Sequence, residues 1–143
     1  MRAKVISIAG SDSSGGAGIQ ADIRTMERLG VTSACALTSV TAQSPQGVDR
    51  IDTIDPASVR AQLSTALKDQ GACAIKIGMA GSAESIRTIA NVLPSADIFT
   101  VCDPVVSSSS TFGPLPKILR RPGLLMPSLP PCAQSWGLSK HFP

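Results

Sequence analysis

The chain has 143 residues, of which 43% are hydrophobic and 16% charged, a composition that excludes wholesale disorder and suits one domain or part of one. No apolar run approaches the ~20 residues that a membrane-spanning helix needs. The formal charge of +3 is uneven, because residues 111–143 contain four basic and no acidic side chains. No aromatic platform accompanies these basic residues, so they do not indicate a nucleic-acid surface.

The first predicted element is a strand, because the β-branched run Lys4–Ala9 stops at a glycine. A loop of small residues follows it, and Ile19–Leu29 then repeats apolar residues at helical spacing. Gly30 is expected to end this helix as the glycine after its C-cap. The run Ser33–Val40 predicts a second, buried strand, which is followed by a polar turn at residues 44–47.

The same alternation continues along the chain. Asp55 is a good N-cap, and Pro56 suits the first position of the helix that follows. The run Ala74–Gly78 predicts a third strand. Ser82 is expected to cap another helix, and Ile98–Val106 predicts a fourth strand.

Strands and helices that alternate in this way predict an α/β fold, with a parallel sheet covered by helices on both faces. Ligands of such sheets bind beyond the carboxyl ends of the strands. Small and polar residues gather at the four predicted ends: Gly10–Gly18, Thr41–Gln46, Gly78–Gly81 and Asp103–Ser110.

Residues 111–143 break the pattern. They contain seven of the eleven prolines and no acidic residue, and neither helical nor strand periodicity persists in them. We therefore predict two regions: residues 1–110 form half of an α/β domain, and residues 111–143 form an irregular or disordered segment.

The glycine-rich loop from Gly10 to Gly18 lies between a predicted strand and a predicted helix, where backbone amides are able to hold an anion or a polar ligand group. It matches neither a Walker A loop nor a GxGxxG loop. The alternative is a flexible connection. Asp22, in the first turns of the helix, is either a binding carboxylate or one that the helix dipole stabilises.

Polar residues at the other strand ends allow similar pairs of interpretations. Gln43 offers a donor and an acceptor to a heterocycle, or is an ordinary loop amide. Lys76 lies in an apolar strand, where an unpaired charge is costly unless the ammonium reaches solvent. Asp103 suits metal–phosphate chemistry, or opens an Asp-Pro turn. Ser107–Ser110 would bind phosphate or form a linker.

The four cysteines, at positions 35, 73, 102 and 132, lie far apart, and His141 is the only histidine. Zinc sites need clustered ligands, so no metal site is predicted. The N-terminus lacks the pattern of a secretory signal. We therefore expect a cytoplasmic chain with reduced thiols that are buried as small hydrophobic side chains.

Four segments, in order along the chain, carry a family resemblance: Ile8 to Asp22 (IAGSDSSGGAGIQAD), Ala42-Gln43 with Gln46-Gly-Val48, Lys76-Ile-Gly-Met79, and Asp103-Pro-Val-Val106. Together they resemble hydroxymethylpyrimidine/phosphomethylpyrimidine kinase, the thiamine-biosynthesis member of the ribokinase-like kinases. The resemblance covers residues 4–110 and implies a ribokinase-like fold for that region.

The resemblance also implies roles for individual residues. Three of them would hold the polar groups and the hydroxymethyl arm of a pyrimidine: Gly10, Asp22 and Gln43. Three others would surround the pyrimidine ring: Thr41, Val105 and Met79. A soft methionine suits packing on a flat heterocycle, although Met79 as plain core is the alternative.

Members of this family transfer the γ-phosphoryl group of ATP to the hydroxymethyl oxygen with Mg²⁺, a reaction that depends on positioning and charge neutralisation. The resemblance implies a small pyrimidine as the partner, with no membrane or nucleic acid, and a homodimer for the intact family. The family's Asn/Glu magnesium motif, Lys-Gly-Gly strand and Gly-Thr-Gly-Cys anion hole do not occur in this sequence. No nucleotide site is therefore predicted in these residues.

Three functional hypotheses remain at this point. The chain is an ATP-dependent kinase of hydroxymethylpyrimidine and its monophosphate, or a non-catalytic pyrimidine-binding fragment, which the missing anion hole favours. The third hypothesis is a related pyridoxal kinase, against which the run GSDSSGGAGIQAD argues. We expect residues 111–143 to reflect a frameshifted reading frame or a natural short variant, and we expect no turnover by the isolated chain.

Overall fold

The computed structural model describes residues 3–68, 72–93, 98–103 and 124–125. The elements follow in the order β1 (Lys4–Asp12), α1 (Gly18–Arg28), β2 (Thr32–Ser44), β3 (Gly47–Thr53), α2 (Pro56–Lys68), β4 (Ala72–Ile77), α3 (Ala83–Val92), β5 (Phe99–Cys102) and β6 (Leu124–Leu125).

The strands form one six-stranded sheet in the order β3-β2-β1-β4-β5-β6. All neighbouring pairs are parallel except β2 and β3, which form an antiparallel hairpin. The α/β architecture with a mostly parallel sheet is confirmed. The prediction of a wholly parallel sheet was wrong at β3, because every residue of this edge strand is exposed and no buried face marks it in the sequence.

The two faces of the sheet carry different helices. Ile6 and Ile8 of β1 pack in a core that also contains Val59 and Leu63 of α2 and Ile89 of α3. Side chains alternate between the faces of a strand, so Ser7 lies on the opposite face, where it contacts α1. Helices therefore cover both faces, as the sequence predicted.

The ends of the helices follow the predicted local signals. Gly30 has a φ of 72°, the left-handed conformation that favours glycine after a C-cap. The Asp55 carboxylate accepts a hydrogen bond from the Ser58 amide at 3.0 Å, and Ser82 Oγ accepts one from the Ser85 amide at 3.0 Å. Each of these three predictions is confirmed.

Strands β1 and β2 are longer than predicted. β1 continues beyond Gly10 to Asp12, and β2 continues to Ser44. Glycine weakens a strand without ending it when the neighbouring strand still supplies hydrogen bonds, as β2 does here.

Residues Leu124–Leu125 pair in parallel with Thr100 and Val101 of β5. The sequence predicted no strand in residues 111–143, and the rest of that segment lies outside the described residues. Within the described part of the chain, no helix has the length and apolar character required to cross a membrane.

Candidate functional site

The carboxyl ends of the strands bring five of the candidate residues to one edge of the sheet. The Gly78 amide donates to Ile8 O at 2.8 Å, and the Asp103 amide donates to Ile77 O at 2.8 Å. The segments after β4 and β5 are therefore held beside the ends of their neighbouring strands. We use the term carboxyl edge for this region, which contains Gly10, Thr41, Gln43, Met79 and Asp103.

Gly10 and Met79 are in close contact at the carboxyl edge. A Cβ atom placed on Gly10 would lie 2.5 Å from Met79 Cε and 2.6 Å from Ser39 Oγ. Real Cβ atoms do not approach other atoms this closely, so the contact requires a glycine at position 10 unless its neighbours shift. The structure thus brings two of the predicted residues together and adds Ser39, which the sequence analysis did not identify.

A second glycine keeps α1 close to this contact. Gly18 begins α1 with a φ of 57°, and a Cβ there would overlap the carbonyl oxygen of Gly10. The start of the helix therefore touches the backbone of β1 directly, which only a residue without a side chain allows.

Thr41 and Gln43 are held by the end of β1 and by the loop that follows it. Thr41 Oγ1 lies 3.0 Å from Ser11 O and 3.2 Å from Gln43 Oε1. The Gln43 amide donates to Ser13 Oγ at 2.8 Å, and Ser13 Oγ donates to Gln43 O at 2.8 Å. No acceptor for Gln43 Nε2 occurs among the described residues, so the end of this side chain keeps donor capacity for a ligand.

Asp22 and Lys76 form an ion pair on the α1 side of the sheet. Lys76 Nζ lies 3.1 Å from Asp22 Oδ1 and 3.0 Å from Oδ2, and the Ser7 hydroxyl also donates to Oδ2. The side chains of Lys76 and Asp22 are 28% and 16% exposed. The charge of Lys76 is therefore paired with Asp22 inside the fold, although the lysine lies in an otherwise apolar strand.

The Asp22 carboxylate was predicted to hold a polar group of the pyrimidine. In the structure, both of its oxygens already contact Lys76, and one accepts from Ser7. A ligand hydroxyl would join this network rather than meet an isolated carboxylate.

The side chain of Asp12, the last residue of β1, binds the backbone of the loop between β1 and α1. The carboxylate of Asp12 accepts hydrogen bonds from the amides of Ser14 and Ala17, both at 2.8 Å, and from the hydroxyl of Ser14. Burial by itself raises the pKa of Asp12, but these hydrogen bonds outweigh it, so the pKa lies below its ordinary value. The predicted free amides for an anion are therefore already used at Ser14 and Ala17.

Of the remaining candidate residues, the structure describes Asp103 only. Asp103 is exposed, directly after β5. Val105 and Ser107–Ser110 lie outside the described residues, as does Cys132. Within the described ranges, no group of three or more His, Cys, Asp or Glu side chains is placed to hold a metal ion.

The prediction of buried cysteines holds for one thiol and was wrong for two. Cys102 is buried, and burial raises its pKa to about 11. Cys35 and Cys73 are exposed. The side chain of Cys35 lies on the same face of the sheet as that of its β1 partner Ser7, and α1 leaves this position uncovered, which strand periodicity alone does not reveal.

Sequence reasoning missed Asp12 and Ser39. For Asp12 a signal existed, because an Asp followed by Ser two residues later is typical of a side chain that bonds the loop backbone. For Ser39 there was none, since its position depends on the pairing of β1 with β2.

Comparison with known proteins decides the family. The phosphomethylpyrimidine kinase family model matches residues 12–117, which is well over half of the chain. The chain belongs to the phosphomethylpyrimidine kinase family. The matched range includes four of the predicted site residues: Asp22, Thr41, Gln43 and Met79.

Named relatives agree with this family. The chain is 46% identical over 101 residues to a hydroxymethylpyrimidine/phosphomethylpyrimidine kinase of Streptomyces coelicolor, covering 71% of this chain and 38% of the relative. It is 48% identical over 103 residues to the enzyme of the same name from Synechococcus elongatus, covering 72% and 39%. The chain thus spans about two fifths of the length of these relatives.

Solved structures of phosphomethylpyrimidine kinases and related enzymes share the fold. A Clostridium difficile phosphomethylpyrimidine kinase matches with a TM-score of 0.69 and 38% identity, covering 72% of this chain and 48% of that one. A Bacillus subtilis pyridoxal kinase matches with a TM-score of 0.70 and 36% identity, covering 78% and 43%. The α/β sheet described above is therefore that of the ribokinase-like kinases.

Proposed function

We propose that this chain carries the pyrimidine-binding half of a kinase that phosphorylates 4-amino-5-hydroxymethyl-2-methylpyrimidine and its monophosphate with ATP in thiamine biosynthesis. The observation that carries the proposal is the contact between Gly10 and Met79 at the carboxyl edge. Two family motifs that are far apart in sequence meet there, at the edge where parallel sheets bind ligands.

The polar groups at this edge suit a flat heterocycle with donor and acceptor atoms. The side-chain amide of Gln43 contacts Thr41 Oγ1 through its Oε1 and keeps its Nε2 donor available among the described residues, while Ser13 holds the backbone of Gln43. An amide of this kind matches adjacent donor and acceptor atoms on a pyrimidine. Met79 offers a polarizable thioether for packing on the ring, and Val105 is proposed to line the same pocket.

ATP and Mg²⁺ belong to the proposed reaction of the complete enzyme. Related pyridoxal kinases from Staphylococcus aureus have been solved with ADP and with AMP-PCP, which supports the use of ATP in this fold. Asp103 follows β5 and is the residue we propose to lie near the metal–phosphate group. A cytoplasmic homodimer is part of the same proposal.

We further propose that a polypeptide of these 143 residues binds the pyrimidine without turning it over. The sequence contains no Gly-Thr-Gly-Cys anion hole, and the loss of even one oxyanion donor costs roughly 10²–10³ in rate. A longer polypeptide that joins this half-site to a segment with the Gly-Thr-Gly-Cys motif is expected to transfer the phosphoryl group.

Pyridoxal kinase is the second candidate, because solved pyridoxal kinases match the fold as well as the pyrimidine kinase does. Calorimetric titration of the chain with hydroxymethylpyrimidine and with pyridoxal distinguishes the two, and we expect the pyrimidine to bind more tightly. Tighter binding of pyridoxal would replace the proposal with its alternative.

Gln43→Ala tests the site itself, with Gln46→Ala as the matched control in the exposed turn that follows. Leaving one polar edge of the ligand unpaired costs about 1–3 kcal/mol, so we expect a clear loss of pyrimidine affinity for Gln43→Ala only. Equal affinity of the two variants would contradict the assignment of the carboxyl edge as the binding site.

A further inference from the structure

Ser39 lies at an irregularity in the pairing of β1 with β2. Ala9 pairs with Leu37 and Ser11 pairs with Val40, so β2 contains one extra residue opposite Gly10. Such a β-bulge redirects side chains and is frequent beside active sites. Thr38 and Ser39 are the residues of β2 within this bulge, and the hydroxyl of Thr38 donates to Met79 O.

The hydroxyl of Ser39 has no hydrogen-bond partner although the residue is 0% exposed. Among the described residues, Ser39 Oγ is the one buried side-chain nitrogen or oxygen atom in this state. A buried hydroxyl without a partner is costly, and native structures rarely keep one without a reason. The β-bulge therefore holds the Ser39 hydroxyl in a buried position without a hydrogen-bond partner.

The surroundings of this hydroxyl indicate where a partner would enter. A Cβ on Gly10 would lie 2.6 Å from Ser39 Oγ and 2.5 Å from Met79 Cε, so the hydroxyl and the methyl group approach the same point above Gly10. Met79 is partly exposed whereas Ser39 is fully buried. The methionine side chain near Ser39 therefore reaches solvent in part, and its three rotatable bonds let it move at small cost.

We propose that Ser39 is a further ligand-binding residue, whose hydroxyl hydrogen-bonds a polar atom of the bound pyrimidine after the Met79 methyl group turns away from Gly10. This inference rests on the proposed function, because it places the ligand at the carboxyl edge. It adds a partner that the family motifs do not include, and it gives the orphan hydroxyl a function in the bound state. Gly10 contributes by leaving the space between the two side chains free of a Cβ.

The test compares Ser39→Ala with Ser33→Ala, a serine near the start of the same strand, in calorimetric titrations with hydroxymethylpyrimidine. Removal of one net hydrogen bond to the ligand is expected to weaken binding roughly 3–10-fold for Ser39→Ala and to leave Ser33→Ala unchanged. The thermal midpoint of the unliganded Ser39→Ala protein should be unchanged or raised, because the substitution removes an unsatisfied buried hydroxyl.

A second measurement follows the Met79 methyl group by NMR with ¹³C-methyl-labelled methionine, assigned with Met79→Leu. We expect its resonance to shift when hydroxymethylpyrimidine saturates the wild-type chain. A resonance that stays in place at saturation would overturn the proposal, because the hydroxyl would then remain covered.

The outcomes separate this inference from the function on which it rests. If Gln43→Ala weakens binding and Ser39→Ala does not, the role of Ser39 is overturned and the proposed function stands. If Gln43→Ala and Ser39→Ala both bind as wild type, the binding site lies elsewhere and both proposals fail. Absence of binding by the wild-type chain also overturns both.

Discussion

Lys76 Nζ lies 3.0 Å from Asp22 Oδ2, so a strand inside the sheet is tied to helix α1 by an ion pair that is mostly shielded from water. The pair joins residues that are 54 positions apart in sequence. The Ser7 hydroxyl supports the same carboxylate from β1. This network links three elements directly beneath the carboxyl edge and therefore holds α1 in place beside the proposed site.

The ion pair predicts an unequal response to two similar substitutions. Lys76→Met leaves Asp22 partly buried with only the Ser7 hydroxyl as a neutral donor, which should lower the free energy of unfolding by about 1–3 kcal/mol. Arg50→Met breaks the Arg50–Asp52 pair, whose side chains are 73% and 57% exposed, and should lower the free energy of unfolding far less than Lys76→Met, because solvent screens an exposed ion pair. Urea unfolding measures both, and equal losses would contradict the structural role of Lys76.

Because Gly18 lies so close to β1, we expect Gly18→Ala to lower the free energy of unfolding more than Gly30→Ala, although both glycines have a positive φ. Gly30 has a φ of 72°, and a Cβ added to it would meet nothing within 4 Å, so Gly30→Ala should cost roughly 1–2 kcal/mol from backbone strain alone. Gly18→Ala adds an overlap with the Gly10 carbonyl oxygen, which typically costs a further ~1–3 kcal/mol. Thermal or urea unfolding of the two variants should show this order, and the reverse order would disprove it.

We expect protonation of the Asp12 carboxylate to lower the free energy of unfolding in acid, because its hydrogen bonds favour the ionised form. Its pKa in the folded state lies below the ordinary value of 3.8, so its contribution is complete above that pH and is lost as the pH falls through the folded pKa. Asp12→Asn should therefore flatten the decline of the unfolding free energy between neutral pH and pH values below 4. Asp49→Asn, at an exposed position, serves as the control, and an unchanged slope for Asp12→Asn would exclude this role.

We expect alkylation to distinguish the exposed cysteines from the buried one. Cys35 and Cys73 are exposed, whereas Cys102 is buried and has a pKa raised to about 11. At pH 9 only about 1% of a thiol with that pKa is ionised, and the thiolate is the reactive form. Iodoacetamide followed by peptide mass mapping should label Cys35 and Cys73 in the folded chain and Cys102 only after unfolding. Rapid labelling of Cys102 in the folded chain would contradict its burial.

The fold was predictable wherever the signal is local. The βα alternation, the N-caps at Asp55 and Ser82 and the glycine at position 30 are confirmed, because each depends on residues within one or two turns of each other. The β3 edge strand was not predictable, since it has no buried face. The extension of β1 past Gly10 depends on pairing with β2, which no local pattern shows.

The residues of the candidate site also fall into two groups, those that a sequence motif identifies and those that only the tertiary structure reveals. Gly10, Gln43 and Met79 were identified by motifs, and the family match over residues 12–117 includes the positions of Gln43 and Met79. The pyrimidine contacts proposed for them, with polar groups for Gly10 and Gln43 and with the ring for Met79, remain predictions. Ser39 carries no motif, and the occupation of the loop amides by Asp12 depends on the conformation of the turn.

The sequence by itself determined the family, the α/β class and the order of the chemical segments, because motifs, caps and periodicity are properties of neighbouring residues. Only the tertiary structure decided the partners: Lys76 with Asp22, and Met79 with Gly10 and Ser39. These contacts depend on strand order and on a one-residue shift in register between β1 and β2. Such a shift moves a side chain to a different environment, and it is specified by the packing of the whole sheet rather than by any single segment.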